Sequence, residues 1–317
     1  MNPKTTISVI ICTYNRCESV KDTLESFLKI NIPKSFDFEI LIIDNNSSDQ
    51  TRVVTESLMP QFAGKLRYLF EGHQGKSYAL NCGIKEAKGD ILAFTDDDVL
   101  VDVDYLREIM NVFDECADGI GFIGGKISPV WNGEKPEWVY GSLLGALAML
   151  DYGDKSFVLD SSMGLLKIKS NIFFGANLAV RKEIFVKYGG FNINKIVAED
   201  TEMCLRLYAN GIKGRYAPTV VVRHKVPPAR TCPKYFYRWY FQQGQYQEIV
   251  ENPAPGFFQP FGIPVWFLKQ TMQYFFKSVF AINRHQRIVC RCWALFNCGQ
   301  MIKIIRGMSQ GKCPKSL

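Results

Sequence analysis

The chain has 317 residues, of which 47% are hydrophobic and 22% are charged. This balance excludes a largely disordered protein, and the length suits either one large α/β domain with an appendage or two domains. The net charge of +7 is uneven: residues 252–317 hold nine Lys and Arg and no acidic residue, which leaves −2 for the first 251 residues.

The start of the chain and its cysteines indicate a cytoplasmic location. The apolar run from Ile7 to Cys12 is interrupted by Ser8 and is too short for the hydrophobic region of a signal peptide. The ten cysteines are scattered without paired metal-ligand spacing. We therefore expect reduced, mostly buried thiols in a cytoplasmic protein.

Up to about residue 100 the pattern alternates between strands and helices. Apolar, β-branched runs predict strands in ISVIICTY, FEILIIDNNS, KLRYLFEG and DILAFTDDD. Apolar residues at helical spacing predict helices in VKDTLESFLKI, TRVVTESLM and GKSYALNCGIKEAKG. This alternation predicts a parallel, doubly wound α/β sheet, whose ligands bind at the carboxyl ends of the strands. Thr13-Tyr14-Asn15, Asp44 and the Asp96-Asp97-Asp98 triplet all fall at such ends.

The rest of the chain reads as a second group of elements followed by a basic region. DYLREIMNVFDEC and AEDTEMCLRLYANG predict helices, GIGFIGGKISPVW and RYAPTVVVRH predict strands, and residues 132–172 are less regular. After Pro227-Pro228 the chain is cationic and rich in aromatic residues, which suggests an anionic partner surface. Its apolar runs fall short of the ~18 uninterrupted residues of a spanning helix. Amphipathic helices on a membrane surface and a cationic helical cap packed on the main domain both remain open.

The aspartate triplet is a candidate metal site. Side chains alternate along an extended segment, so we expect Asp96 and Asp98 to point the same way and Asp97 to point opposite. Two carboxylates on one side of a strand end suit a hard divalent cation that is shared with a substrate's phosphates. The alternative is an acidic turn that caps a helix, because Asp102 and Asp104 follow in the same loop.

Three further segments carry candidate polar groups. Asp44 suits hydrogen bonding to a nucleoside, although a turn aspartate would look the same. Glu199, Asp200 and Glu202 open a helix, where acidic residues favour the helix dipole, but a carboxylate there could also serve as a general base. His224 is a third metal ligand only if its strand ends beside Asp98.

Five segments in this order resemble the family-two inverting glycosyltransferases of the GT-A fold: SVIICTYNR, ILIIDNNSSDQT, GKSYALNCGIKEAKGDILAFTDDD, FFGANLAVRKEIFVKYGGF and AEDTEMCLRL. The likeness runs from Ser8 to about His224. It implies an α/β fold with a GT-A type, Rossmann-like nucleotide-binding sheet and a helical, basic C-terminal extension. The expected boundaries are a catalytic domain over 1–228, with a nucleotide half at about 1–100 and an acceptor half at about 101–228, and a basic helical region over 229–317.

The resemblance also implies a role for each matching residue. Asp200 matches the catalytic base, Asp44 matches the carboxylate that recognises the base of the nucleotide, usually uracil, and Asp98 with His224 matches the ligands of Mn²⁺ or Mg²⁺. Candidates on the acceptor side are Asn177, Glu199, Trp131 and Trp138, although buried core tryptophans are an equal alternative. The donor-binding set is Thr13, Tyr14, Asn15, Asp44, Lys76, Asn81, Asp96 and Asp97.

The resulting expectation is an enzyme that moves a single sugar from a nucleoside-diphosphate sugar, UDP-linked by preference, to a glycan or lipid-linked acceptor. The Q-x-x-R-W motif of processive synthases is absent, since Arg238-Trp239 precedes Gln242-Gln243. Such an enzyme would sit in the cytoplasm, peripherally on the inner face of an anionic membrane, and no nucleic-acid motif accompanies the basic tail. The alternatives are a sugar-nucleotide nucleotidyltransferase, which would normally have a Gly-rich loop after its first strand, a glycosidase, and a catalytically silent sugar-nucleotide binder.

Overall fold

The computed structural model describes residues 6–32, 36–115, 119–195, 197–246 and 265–309. The chain divides into two compact units. The first comprises Met1–Val130 and Ala148–Lys225, and the second comprises Trp131–Leu147 and Val226–Leu317. The candidate site lies in the first unit.

The first unit begins with the parallel sheet that the sequence predicts. Its strands are β1 (Thr6–Thr13), β2 (Asp37–Asp44), β3 (Leu66–Phe70) and β4 (Ile91–Asp96), and its helices are α1 (Cys17–Phe27), α2 (Thr51–Leu58) and α3 (Lys76–Glu86). The strands are parallel in the order β3-β2-β1-β4. Thr13 pairs with Asp44 and Cys12 pairs with Asp96, so the polar strand ends lie at one edge.

Antiparallel strands extend this sheet, which the strand–helix alternation did not indicate. Described elements are β5 (Val99–Val101), α4 (Tyr105–Glu115), β6 (Ile120–Trp131), β7 (Phe157–Leu159), α5 (Leu165–Ser170), β8 (Asn177–Arg181), α6 (Lys182–Tyr188), α7 (Glu199–Ala209) and β9 (Lys213–Val226). The full order is β3-β2-β1-β4-β8-β6-β9-β5, with β7 paired to β9. The pairings of β4 with β8 and of β5 with β9 are both antiparallel.

The centre of the sheet tolerates one polar residue because its hydrogen bonds are satisfied. Ser8 is fully buried in the apolar β1, donates to Glu39 Oε1 at 2.7 Å and accepts from the Gly89 amide at 2.8 Å. A Cβ at residue 89 would lie 2.5 Å from the Ser8 nitrogen, so this close approach requires glycine. The serine that interrupts the run therefore joins β1 to the turn before β4.

The second unit is helical over its described residues. A 3-10 helix covers Gly141–Leu147, followed by α8 (Pro233–Tyr246), α9 (Val265–Phe280) and α10 (Arg284–Ser309). One helix in the described part of the chain, Arg284–Arg306, is long and apolar enough to cross a membrane by length and composition, with a mean hydropathy of 1.3. Its apolar window is 39% buried in protein, and the core helix of a soluble protein can meet the same criteria.

Eight of the ten cysteines lie in the described residues, and all eight are free thiols, as expected for a reduced protein. Only Cys204 and Cys292 among them are buried, so the expectation of mostly buried thiols is wrong. Burial raises the pKa of the Cys204 thiol well above its ordinary value, because the thiolate would lose its hydration.

Candidate functional site

The strand ends bring two carboxylates and one imidazole together. Because β5 pairs with β9 and Val99 lies opposite His224, the imidazole comes to rest beside the aspartate triplet. His224 Nε2 lies 3.1 Å from Asp98 Oδ1 and 3.9 Å from Asp96 Oδ2. One ligand atom from each of Asp96, Asp98 and His224 lies within 4.8 Å of the others. The condition that the sequence set for His224, a position beside Asp98, is therefore met.

The hydrogen bonding of His224 fits a metal ligand. His224 is 2% exposed, and its Nδ1 lies 3.1 Å from the carbonyl oxygen of Lys225. Since a carbonyl can only accept, Nδ1 donates to it, and Nε2 faces the Asp98 carboxylate at 3.1 Å, on the side where a shared cation would lie. Two carboxylate oxygens and this nitrogen form a donor set that suits a divalent cation such as Mn²⁺ or Mg²⁺.

Asp97 lies with Asp98 in the turn between β4, which ends at Asp96, and β5, so the extended segment that was expected to alternate these side chains is not observed. The Asp97 carboxylate accepts from Thr13 Oγ1 at 2.8 Å and from Arg16 Nη1 at 2.8 Å, and the same Arg16 nitrogen lies 3.2 Å from Asp98 Oδ2. Burial raises the pKa of Asp97, while the Arg16 charge opposes the shift. Arg16 thus holds two of the three aspartates. Sequence reasoning missed it, although it directly follows Thr13-Tyr14-Asn15.

Lys76 connects the triplet to the beginning of α7. Its Nζ lies 3.0 Å from Asp96 Oδ1 and 3.4 Å from Glu199 Oε1. Burial alone would lower the pKa of Lys76, but the carboxylates of Asp96, Glu199 and Asp200 raise it well above its ordinary value. The Lys76 side chain is therefore a charged ammonium, and it lies between Asp96 of the candidate metal site and Glu199 in the first turn of α7.

Asp200 is held at the first turn of α7 by backbone amides. Ala198 adopts a left-handed conformation, φ 59°, and turns the chain into the helix. Asp200 Oδ2 accepts from the Gly175 amide at 2.8 Å, and Oδ1 accepts from the Thr201 amide at 2.6 Å. Burial and the charge of Glu199 raise the pKa of Asp200 to about 6, against the opposing effects of Lys76 and the two amides. Such a carboxylate takes up a proton more readily than an exposed aspartate.

Asp96, Lys76 and Asp200 line one pocket within the first unit, together with apolar side chains. A cation-binding carboxylate and a basic carboxylate can thus act on one ligand. The lining residues are Cys12, Lys76, Leu80, Phe94, Thr95, Asp96, Gly175, Phe191, Glu199 and Asp200.

The loops after β1 and β2 are tied to each other beside this pocket. Asn15, with φ 52°, accepts from the Ser48 amide through Oδ1 at 2.7 Å, and its own amide donates to Ser47 Oγ at 2.8 Å. Tyr14 is 49% exposed, so its ring is open to a ligand.

Asp44 is 2% exposed and already has two protein partners. It accepts from the Tyr68 hydroxyl at 2.7 Å and from the Ser47 amide at 2.9 Å. Burial and this bond to Asp44 raise the pKa of Tyr68, which keeps the hydroxyl protonated as a donor. Sequence reasoning did not identify Tyr68, which fixes the orientation of the carboxylate.

Two predicted polar contacts are engaged with the backbone. The Asn81 amide both donates to and accepts from the backbone of Phe191, at 2.8 Å each, and so positions a residue of the pocket wall. Asn177 is 2% exposed and donates to the carbonyls of Lys126 and Val220. Their direct roles in ligand binding stay predictions.

The two candidate tryptophans belong to the second unit. Trp138 is 7% exposed, its ring meets the edge of Phe236, and the Arg284 guanidinium lies 5.3 Å from its centroid. These contacts match the alternative of a core tryptophan. Trp131 is partly exposed, with Lys135 Nζ 6.0 Å from its ring centre. A role of either ring on the acceptor side stays a prediction.

A mainly parallel sheet extended by antiparallel strands, with an Asp-Asp-His cluster beside the carboxyl end of β4, matches the GT-A fold of nucleotide-sugar-dependent glycosyltransferases. A sequence model described as glycosyl transferase family 2 matches residues 8–189. The chain belongs to this family and is a glycosyltransferase that uses a nucleotide sugar.

Curated relatives and solved structures agree with this assignment. The chain is 23% identical to a glucosyl-dolichyl phosphate glucuronosyltransferase of Haloferax volcanii, over 78% of each chain. It is 24% identical to succinoglycan biosynthesis protein ExoM of Rhizobium meliloti, over 81% of this chain and 79% of that one. In fold it is similar to the mannosyltransferase PcManGT of Pyrobaculum calidifontis, solved with GDP-Man and Mn²⁺, with a TM-score of 0.56 and 17% identity, over 100% of this chain and 77% of that one. The same TM-score and identity relate it to residues 1–349 of Staphylococcus aureus TarS in complex with UDP, over 98% and 93%.

Proposed function

We propose that this enzyme transfers a single sugar, with inversion at the anomeric carbon, from a UDP-linked donor to a hydroxyl of a glycan or lipid-linked acceptor in polysaccharide or cell-surface glycan synthesis. One observation carries the proposal: Asp200, with its raised pKa, lines the same pocket as Asp96 and Lys76. A donor whose diphosphate lies beside Asp96 then has its sugar within the reach of a base.

Each residue has a defined task in this reaction. Asp96, Asp98 and His224 would hold the divalent cation, which supplies charge neutralisation for the departing diphosphate. Lys76, an ammonium beside Asp96, adds positive charge on the same side. Asp200 accepts the proton of the acceptor hydroxyl as that oxygen bonds to the anomeric carbon, while the bond to the diphosphate breaks and its electron pair leaves with the diphosphate. A single displacement inverts the configuration.

The donor base is assigned through Asp44. Its carboxylate is fixed by Tyr68 and Ser47, so it can present an acceptor lone pair in one direction. An acceptor in a fixed direction suits the single N3–H of uracil. Among the structures of similar fold, TarS was solved with UDP and with UDP-GlcNAc, whereas the mannosyltransferase was solved with GDP-Man.

The location follows from the nature of the acceptor and the basic region. The name of the Haloferax relative refers to a dolichyl phosphate, which is a lipid-linked acceptor. The nine cations after residue 251 are matched by no acid, which favours contact with an anionic surface. We therefore place the enzyme in the cytoplasm, peripherally on the inner face of the cell membrane.

Replacement of Asp200 tests the mechanism. Asp200→Asn keeps the size of the side chain and removes the base, so sugar transfer should fall by about 10²–10⁴-fold while the donor still raises the melting temperature. Asp154→Asn is the matched control, because the Asp154 side chain is 94% exposed, and it should transfer at the wild-type rate. Transfer by Asp200→Asn at the rate of this control would remove Asp200 from the mechanism.

A further inference from the structure

Helix α9 has two apolar faces, and among the described residues one of them packs against α10 while the other is exposed. On one face Phe267 is 4% exposed and clusters with Ile304, against which Trp266, Leu268 and Met301 also pack. Ser278 on this helix is 1% exposed, and Gln270 accepts from Asn297 of α10 at 3.0 Å. These contacts fix α9 on α10 within the second unit.

The other face of α9 is an exposed apolar stripe. Its residues are 53–78% exposed. They follow one another at positions i, i+3, i+4, i+7 and i+8, which is the spacing of a single helix face. Ile282, just beyond the helix, is 97% exposed. The residues of the stripe are Met272, Phe275, Phe276, Val279 and Phe280.

Only cations accompany this stripe. Lys269 and Lys277 are exposed on the same helix, and Arg284, Arg287 and Arg291 are exposed on α10. Residues 265–309 contain no Asp or Glu. A stripe of three phenylalanines with cationic neighbours has the composition of a helix that lies in a membrane interface, with apolar rings below the headgroups and lysines at the level of anionic lipids.

We propose that the α9 stripe is the surface by which this enzyme docks on an anionic membrane, lying in the plane of the interface. A second copy of the chain is a poorer occupant, because apposed stripes would bring like charges together. This proposal deepens the peripheral location proposed above and is independent of the donor sugar. It assigns docking to the exposed face of α9, while α10 packs against the opposite face of α9 and holds it in place.

The full-length protein tests the proposal with vesicles of phosphatidylcholine alone and of phosphatidylcholine with phosphatidylserine. Phe276→Ser with Phe280→Ser should lower the partition onto anionic vesicles about tenfold or more, since apolar area no longer enters the interface. Lys269→Gln with Lys277→Gln should lower it about fivefold per lysine and weaken its dependence on salt. Val186→Ser is the matched control, because Val186 is 82% exposed in the first unit, and it should bind as the wild type does.

Two further readouts separate the possible failures. All substituted side chains are exposed, so the melting temperature and its rise with UDP and Mn²⁺ should not change. If a variant loses vesicle binding but its melting temperature still rises with UDP and Mn²⁺, the result supports the docking surface. If the melting temperature does not rise with UDP and Mn²⁺ in any protein, including the wild type, the result counts against the donor site alone. Vesicle binding by the phenylalanine variant at the level of Val186→Ser would overturn the proposal. A wild-type dimer that this variant dissociates would also overturn it and assign the stripe to a second copy.

Discussion

The proposed role of Asp200 needs its ionised form, although its surroundings disfavour ionisation. Burial is the larger cause of its raised pKa, and the neighbouring Glu199 charge is the second. Lys76 and the amides of Gly175 and Thr201 favour the carboxylate but do not outweigh those two. The resulting pKa of Asp200 lies closer to neutral pH, where a carboxylate is both ionised and basic enough to take a proton.

The first prediction at this scale concerns pH. Asp200 acts as the carboxylate in the proposed mechanism, and its pKa is raised from 3.8 to about 6. Activity should therefore be complete above this value and fall about tenfold per pH unit below it, where an unshifted aspartate would still be ionised. The measurement is kcat/KM from pH 4.5 to 8, with the acid limb expected near pH 6.

The variant Glu199→Gln tests whether the acid limb of the pH profile belongs to Asp200. Glu199→Gln removes a charge that raises the pKa of Asp200, so the limb should move to lower pH. If the acid limb of the pH profile stays in place in Glu199→Gln, the group that titrates is not Asp200.

Much of the residue-scale site was predictable, and the exceptions share a cause. The grouping of Asp96 with Asp98 was predicted from strand alternation, but Asp97 and Asp98 lie in a turn, and this turn and the pairing of β5 with β9 bring the two carboxylates to His224. Arg16 and Tyr68 were missed because their partners lie 81 and 24 residues away, and no local pattern marks such contacts. The role of His224 could be predicted only on the condition that its strand ends beside Asp98, because the pairing of β5 with β9 that meets this condition is a property of the whole sheet.

At the scale of elements, the parallel strands were predicted from short, mostly apolar runs separated by helical patterns, and β1, β2 and β4 are largely buried whereas β3 is mostly half-buried. The antiparallel strands were not assigned to a sheet, since β8 is only five residues long and its pairing with β4 crosses a long stretch of sequence. Residues 132–172 gave no regular pattern, and there the described structure has short 3-10 and α-helices with the short β7.

Helix contact in the second unit gives the prediction at this scale. A Cβ at Gly244 of α8 would overlap the carbonyl oxygen of Phe296 in α10, and one at Gly299 would overlap that of Phe241. Backbone atoms cannot rotate away, so Gly244→Ala must separate the helices. We expect a loss of about 1–3 kcal/mol in the free energy of unfolding, even though alanine favours a helix intrinsically.

Urea denaturation followed by circular dichroism measures this loss. Gly145→Ala is the control, because a Cβ at Gly145 has no neighbour within 4 Å, and its effect should stay within about 0.5 kcal/mol. Equal stability of the two variants would show that α8 and α10 are not held at this close distance.

At the scale of the whole molecule, acidic and basic character are separated along the chain. The acidic cluster and the basic carboxylate belong to the first unit, and the unmatched cations belong to the second. Charge separation of this kind matches a protein that binds a metal–nucleotide complex with one part and an anionic surface with another. The sequence predicted a boundary near residue 228 from the change in charge, whereas the second unit begins at Val226 and also includes Trp131–Leu147.

Binding of the metal and the nucleotide should register in the stability of the whole protein. A ligand at one hundred times its dissociation constant stabilises the folded state by about 2.7 kcal/mol. We expect UDP with Mn²⁺ to raise the melting temperature more than GDP, CDP or dTDP with Mn²⁺, and UDP without a divalent cation to raise it less. His224→Ala removes one proposed metal ligand and should abolish the metal-dependent part of the rise, whereas His285→Ala, in the second unit, should keep all of it relative to its own ligand-free value. A metal-dependent rise that survives in His224→Ala would place the cation elsewhere, and a larger rise with GDP would replace uracil as the base that Asp44 recognises.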